Sequence, residues 1–260
     1  MIFDTHTHYD DDRYDEDRFE LIESLRDKNV GMVVDVCATW DSMEDIKALT
    51  KKYDFIYGSV GLHPEGIMAL EQDGDRIMKE MEDLLVNDPK MVAVGEIGLD
   101  YHYDEPSKDI QIKWFEEQMK MAARVKKPVI IHSREACEDT MEILRKHPDV
   151  KGVMHCYSYA KETAAELIKM GYYIGVGGVV TFKNSKKLKE TVQMIPLDKL
   201  VLETDCPYLA PEPFRGTRND SSLIKYVIEE VASLRGQTVS EIESACYENA
   251  LRMYGIDRQE

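Results

Sequence analysis

Short runs rich in β-branched and apolar residues alternate with longer stretches of helical spacing from one end of this chain to the other. No other feature limits its fold so tightly. Eight such runs stand out: Met1 to His8, Gly31 to Cys37, Ile56 to His63, Met91 to Leu99, Pro128 to His132, Gly152 to His155, Tyr172 to Val176, and Leu200 to Asp205. Between them apolar residues recur at helical intervals, as at Ile77, Met81, Leu84 and Leu85, or at Cys137, Met141 and Leu144. Such alternation predicts a parallel sheet with crossover helices, one helix for each gap. At 260 residues the chain has the size of one eight-stranded barrel, about 250 residues. The expected fold class is therefore α/β, a single (β/α)8 TIM barrel forming one domain over residues 1–260.

The last apolar face, Ile224, Val227, Ile228, Val231 and Leu234, is followed by Gly236, and Ser240 with Glu243 reads as a capping box opening a final helix. The acidic cluster around Asp10-Asp11-Asp12 and Asp15-Glu16-Asp17 reads as a solvated loop entering a helix rather than a metal site. Composition is that of a water-soluble domain, 43% hydrophobic and 32% charged. Apolar runs are strand-sized, as in Met32-Val33-Val34, far below the roughly 18 residues of a membrane helix, so no membrane association is expected. The first residues lack the basic flank and apolar core of a secretory signal. The five cysteines form no Cys-x-x-Cys pair and read as reduced thiols, so the expected compartment is cytoplasmic. A net charge of −17 argues against a general electrostatic grip on nucleic acid, unless bound cations supply positive charge locally.

Polar residues fall where the runs end. His6 and His8 close the first run and His63 the third; Glu96 lies late in the fourth; His132, His155 and Asp205 close the fifth, sixth and eighth. Parallel barrel strands gather their C-terminal ends at one rim, which is where barrel active sites are built. His6 and His8 are two apart and face the same side of a strand, with Asp4. Two inward imidazoles repel when charged and leave acceptors unpaired when neutral, and a cation resolves both problems. Glu96 sits between glycines in a run buried on both faces, where an ionised carboxylate costs several kcal/mol unless paired or bound to metal. Its two oxygens suit a bridging ligand.

His132 and His155 each follow a short apolar strand, and their succession favours ligation over a core role. Asp205 can bind an ion and accept a proton from water as general base. Glu203, two residues earlier, can orient a ligand histidine. Histidine and carboxylate without an evident thiolate suits two divalent cations of the Zn, Mn, Fe or Mg group. Cys156 and Cys206 adjoin proposed ligands but are expected to pack away from them. His147 reads as a helix C-terminal cap, and His102 receives no role.

These blocks closely resemble the TatD family of metal-dependent deoxyribonucleases, within the wider amidohydrolase-like metal barrels. The resemblance runs end to end through Asp4-Thr5-His6-Thr7-His8, Gly61-Leu62-His63-Pro64, Gly95 to Asp100, Ile131-His132-Ser133-Arg134, His155-Cys156-Tyr157-Ser158, Glu203 to Leu209, and Arg215-Gly216 with Asn219. It implies that His6, His8 and Asp205 hold one ion, that His132 and His155 hold the other, and that Glu96 bridges them. It further implies that His63 stands beside the metals near the substrate phosphate, a catalytic position shared with Asp205 and Glu96. Two positions depart from the family pattern: Tyr159 stands where glycine is usual, and Asn219 leads into Asp220-Ser221 where Glu-Pro is common.

The expected reaction is phosphodiester hydrolysis by two-metal activation of water, on DNA ends or single strands. Arg134, Arg215, Arg218 and Lys183, all after strand ends, are candidate phosphate contacts. The same metals could instead polarise a carbonyl, giving an amidase, lactonase or esterase, or serve stability alone in a binding protein. No obligate protein partner is evident in the sequence.

Overall fold

The computed structural model describes residues 1–257, which fall into two compact units. One comprises Met1–Asp35 and residues 156–257; the other is Val36–His155.

In the first unit, strand β1 (Ile2–Thr7) pairs in parallel with β2 (Val30–Asp35), Ile2 opposite Val30 and Thr7 opposite Asp35. Strand β7 (Tyr173–Val176) pairs in parallel with β8 (Leu200–Leu202), and Thr7 bridges in parallel to Cys206 just beyond β8. Its helices are α1 (Arg18–Ser24), α6 (Lys161–Lys169), α7 (Lys186–Met194), α8 (Ile224–Arg235) and α9 (Val239–Tyr254). Helix α9 is tied to the strands by polar bonds as well as packing. The Tyr254 hydroxyl donates to the Thr5 carbonyl at 2.8 Å, and Asn249 Nδ2 donates to Leu197 O and Leu200 O, each at 2.7 Å.

In the second unit, β3 (Ile56–Val60), β4 (Met91–Asp100), β5 (Val129–Arg134) and β6 (Gly152–Met154) pair in parallel in that order. Helices α2 (Met43–Lys52), α3 (Met68–Asn87), α4 (Lys108–Val125) and α5 (Cys137–Lys146) alternate with them. Every residue of β4 is buried, as expected of a strand covered on both faces. Gly98 permits a close approach: its φ is +147°, and a Cβ there would lie 1.9 Å from the carbonyl oxygen of His132, its partner in register.

Eight strands, each followed by helix and paired in parallel within each unit, reproduce the expected α/β succession. Strands β1, β2, β3, β6 and β8 end earlier than the sequence runs suggest, β7 ends where its run does, and β4 and β5 continue to Asp100 and Arg134. His8, His63, His155 and Asp205 lie one to three residues past their strands, on the first turn of the following loop. The final helix also begins differently. Thr238, not Ser240, is the cap: Glu241 N donates to its side chain at 3.2 Å, and its own N–H donates to Glu241 Oε2 at 2.8 Å. Glu243 instead receives the N-terminal ammonium and Asn29 Nδ2. His147 caps α5, as read from the sequence. No helix among the described residues is long and apolar enough to cross a membrane, and all five cysteines are free thiols.

Candidate metal centre

Each unit carries, among its described residues, a largely buried cluster of imidazoles and carboxylates, with His132 and Asp205 partly exposed. In the first, alternation along β1 sends His6 and His8 to the same side, and their Nε2 atoms stand 3.1 Å apart. Asp205 Oδ1 lies 3.8 Å from His6 Nε2 and 3.6 Å from His8 Nε2. Two donors bonded at about 2 Å to one tetrahedral ion stand roughly 3.3 Å apart, so this trio fits a divalent cation of the zinc type with little adjustment. Asp205 reaches the cluster through a left-handed backbone, φ 57°, a conformation that aspartate tolerates better than most residues. Its N–H donates to the His6 carbonyl at 3.0 Å, which fastens the loop after β8 to β1.

Behind this trio stands a second layer of acids. Asp4, fully buried, accepts from Thr204 N at 2.9 Å, Thr204 Oγ1 at 2.6 Å and Ser221 Oγ at 2.6 Å. Burial pushes its carboxyl up to about 7 despite those donors. Glu203 Oε1 accepts from Cys156 N at 2.6 Å, and its carboxylate comes within 4.8 Å of a His6 ring nitrogen. Gly175 makes room for it, since a Cβ there would meet Glu203 Oε2 at 2.5 Å. Asp35 was not singled out by the sequence. It ends β2 and accepts from Tyr9 N at 2.6 Å and Thr7 Oγ1 at 3.1 Å. Burial, with Asp10 nearby, raises it to about 8. Cys156 also departs from expectation: its sulfur lies within 4.8 Å of an Asp205 carboxylate oxygen rather than turning away. The φ of 44° at Cys156 breaks the strand alternation on which that expectation rested.

In the second unit, His132 Nδ1 lies 3.0 Å from Glu96 Oε1, and His155 Nε2 lies 3.7 Å from the same oxygen. Glu96, His132 and His155 thus form a second donor set converging on one point. The other nitrogen of His132 meets Asp100 Oδ2 at 3.1 Å. Burial works against a charged His132, but its bonds to Asp100 and Glu96 prevail and raise it to about 9. Asp100 is itself penalised by burial, yet His132 and the His102 N–H hold its carboxyl below the usual range. His63 packs edge-on to His132, ring centroids 4.2 Å apart, and its Nδ1 accepts from Glu65 N. It therefore stands beside the second donor set.

The candidate phosphate contacts are not equivalent. Arg215 stacks on Phe182, its guanidinium carbon 4.4 Å from the ring centroid, and neither it nor the exposed Lys183 pairs with a carboxylate among the described residues. Arg134 lies 3.9 Å from Asp100 Oδ2 and 5.7 Å from the Tyr103 ring. Arg218 is engaged by Asp17 and the Arg13 carbonyl, unlike Arg215 and Lys183. Asn219, which leads into the departure at Asp220-Ser221, is buried and ties the loop after β8 through bonds to Thr204 O at 2.9 Å and Tyr208 O at 2.8 Å. The acidic N-terminal loop is solvated but partly ion-paired, Asp11 to Arg13 and Asp15 to Arg18.

Imidazole and carboxylate clusters within and just past the C-terminal parts of parallel strands are the arrangement found in the class of metal-dependent hydrolases built on (β/α)8 barrels. Comparison with known proteins supports that class and narrows it. The family model described as TatD related DNase matches residues 3–255. The metal-dependent hydrolase YabD of Bacillus subtilis is 42% identical over 99% of this chain and 100% of its own length. The metal-dependent hydrolase YcfH of Escherichia coli is 34% identical over 99% of this chain and 97% of its own. Among solved structures, the TatD homologue YjjV of Escherichia coli superposes with a TM-score of 0.91 at 30% identity, covering 98% of each chain. The chain belongs to the TatD family, has its (β/α)8 barrel fold, and is a metal-dependent hydrolase.

Proposed function

We propose that this hydrolase cleaves phosphodiester bonds in DNA, at ends or in single strands, with two divalent cations. One is assigned to His6, His8 and Asp205, the other to His132 and His155, and Glu96 keeps the bridging role that the family pattern gives it. The observation that carries the reading is the pairing of His6 and His8 Nε2 at 3.1 Å against Asp205, a donor set that binds a cation more readily than it forms a stable core. When bound, such cations lower the pKa of water toward about 7 and stabilise charge on phosphoryl oxygens.

The chain's own groups do the rest. Asp205 accepts a proton from the attacking water, an O–P bond forms, and the ester P–O bond opposite it breaks. The departing oxygen gains the proton, and His63 is the group we assign to guide it. Arg215 and Lys183 follow β8 and β7, and loops in those two positions frequently bind phosphate in barrel enzymes. Cations without carboxylate partners there, in a chain of net charge −17, favour a phosphate substrate over a carbonyl one. The free thiols lead us to assign the protein to the cytoplasm.

The test is to incubate end-labelled single- and double-stranded DNA with the protein, with and without chelator, then to restore Mg, Mn or Zn separately. Cleavage that chelation abolishes and one metal restores is expected. Turnover of amide or ester reporters without any DNA cleavage would move the assignment to carbonyl chemistry.

A further inference from the structure

Beside the first donor cluster the loop after β8 presents an aromatic ring that is both exposed and held still. Tyr208 is 46% exposed, although it stands only three residues from Asp205. Its ring meets His8 edge-on, with centroids 6.2 Å apart and planes at 81°. The Arg13 guanidinium covers one face, 4.0 Å from the ring centroid. Asp11 fixes that guanidinium with two bonds, from Nε at 2.9 Å and Nη2 at 2.8 Å, and also receives the Tyr208 hydroxyl at 3.2 Å. The Tyr208 N–H donates to Asp205 O at 2.8 Å, and its carbonyl accepts from Asn219.

Ring, hydroxyl and backbone are thus all restrained, while nearly half of the residue faces solvent. Arg13 takes one face of the ring, and His8 adjoins it in a T-shaped contact. Arg13 is spent on Asp11, so this corner offers a π-surface rather than a free cation. A chain of net charge −17 gains little from general attraction to a polyanion, and sequence-tolerant stacking is the other common source of affinity for single strands. A ring ordered in advance loses little freedom when a second flat group settles on it.

We propose that Tyr208, backed by Arg13 and Asp11, is the stacking platform for the nucleobase next to the scissile phosphate, so that the enzyme prefers an end carrying a base to an abasic one. This inference rests on the phosphodiesterase reading and names the part of the substrate seated beside His8.

Two measurements test it on the metal-loaded protein. The first compares KM for single-stranded DNA substrates differing only in the terminal nucleotide, normal or abasic, for the wild type, Tyr208→Phe and Tyr208→Leu. The wild type is expected to show a KM about five- to hundredfold lower for the base-bearing end, Tyr208→Phe to keep that ratio, and Tyr208→Leu to bring it near one. The second is calorimetric binding of deoxyadenosine monophosphate against deoxyribose 5-phosphate, which needs no turnover. The nucleotide is expected to bind more tightly, and Tyr208→Leu to erase the difference. If Tyr208→Leu does not fold, Tyr208→Trp takes its place and is expected to preserve or enlarge both ratios. A wild-type ratio near one, an undiminished ratio in Tyr208→Leu, or a collapse in Tyr208→Trp overturns the platform. Absence of DNA cleavage with the calorimetric preference intact would remove the nuclease reading and leave the platform standing.

Discussion

His132 is held between two acids, its Nδ1 3.0 Å from Glu96 Oε1 and its Nε2 3.1 Å from Asp100 Oδ2. The Asp100 contact favours a proton on Nε2 and leaves Nδ1 as the nitrogen presented to a cation. Partners of this kind are worth about 10- to 100-fold in metal affinity. Asp100→Ala is therefore expected to weaken metal retention by about that factor. Competition against a chromogenic chelator measures it, with circular dichroism to confirm the fold.

Buried acids make the metal-free protein sensitive to alkali. Burial raises Asp4 to about 7 and Asp35 to about 8, so between about pH 4 and those values the folded chain binds more protons than the unfolded one. Stability therefore falls as pH rises through that window. His132, raised to about 9, acts in the same direction: its contribution is full below about pH 6.5 and is lost as pH climbs through 9. Thermal melts of chelated protein from pH 5 to 9 should show a declining Tm. Asp35→Asn, which keeps an acceptor for Tyr9 N, should flatten the decline.

Arg215 and Lys183 differ from the other candidate cations in pairing with no carboxylate among the described residues. If each contacts a phosphate, Arg215→Ala and Lys183→Ala should each weaken binding of single-stranded DNA and lower the salt slope of log Kd by about one, whatever the sequence bound. Arg218→Ala, at a side chain engaged by Asp17, should leave the salt slope as it is.

Gly98 lets β4 approach β5 where His132 stands. An added Cβ would meet the His132 carbonyl oxygen at 1.9 Å, and a φ of +147° strains any other residue. Gly98→Ala is expected to cost about 3 kcal/mol or more from crowding and strain together. Chemical denaturation measures that loss.

Much of this arrangement was legible in the sequence because it follows from periodicity. The two-residue spacing of His6 and His8, and the position of His132 and Asp205 after apolar runs, express the regular pleat of a strand. What could not be read depends on backbone that leaves the pleat. Asp100 looks like a loop acid, and only the extension of β4 to residue 100 beside β5 brings it to His132. Cys156 seemed directed away from Asp205 until a left-handed turn redirected it. The capping boxes Thr238 with Glu241 and Ser240 with Glu243 overlap in sequence, and the choice fell to the first because Glu243 is drawn to the N-terminus and Asn29. Asp35 and Tyr208 owe their surroundings to Thr7, Tyr9, His8 and Arg13, none of which sits at a spacing that announces the contact.

The decisive measurement is metal content per chain by mass spectrometry, taken on the same dialysed samples whose cleavage of end-labelled single-stranded DNA is assayed, for the wild type and Glu96→Ala. Two divalent ions per wild-type chain, with metal content and cleavage both falling in Glu96→Ala, is the expected result. DNA cleavage that persists in chains carrying no metal, or a Glu96→Ala variant with full metal and full activity, would contradict the two-cation account.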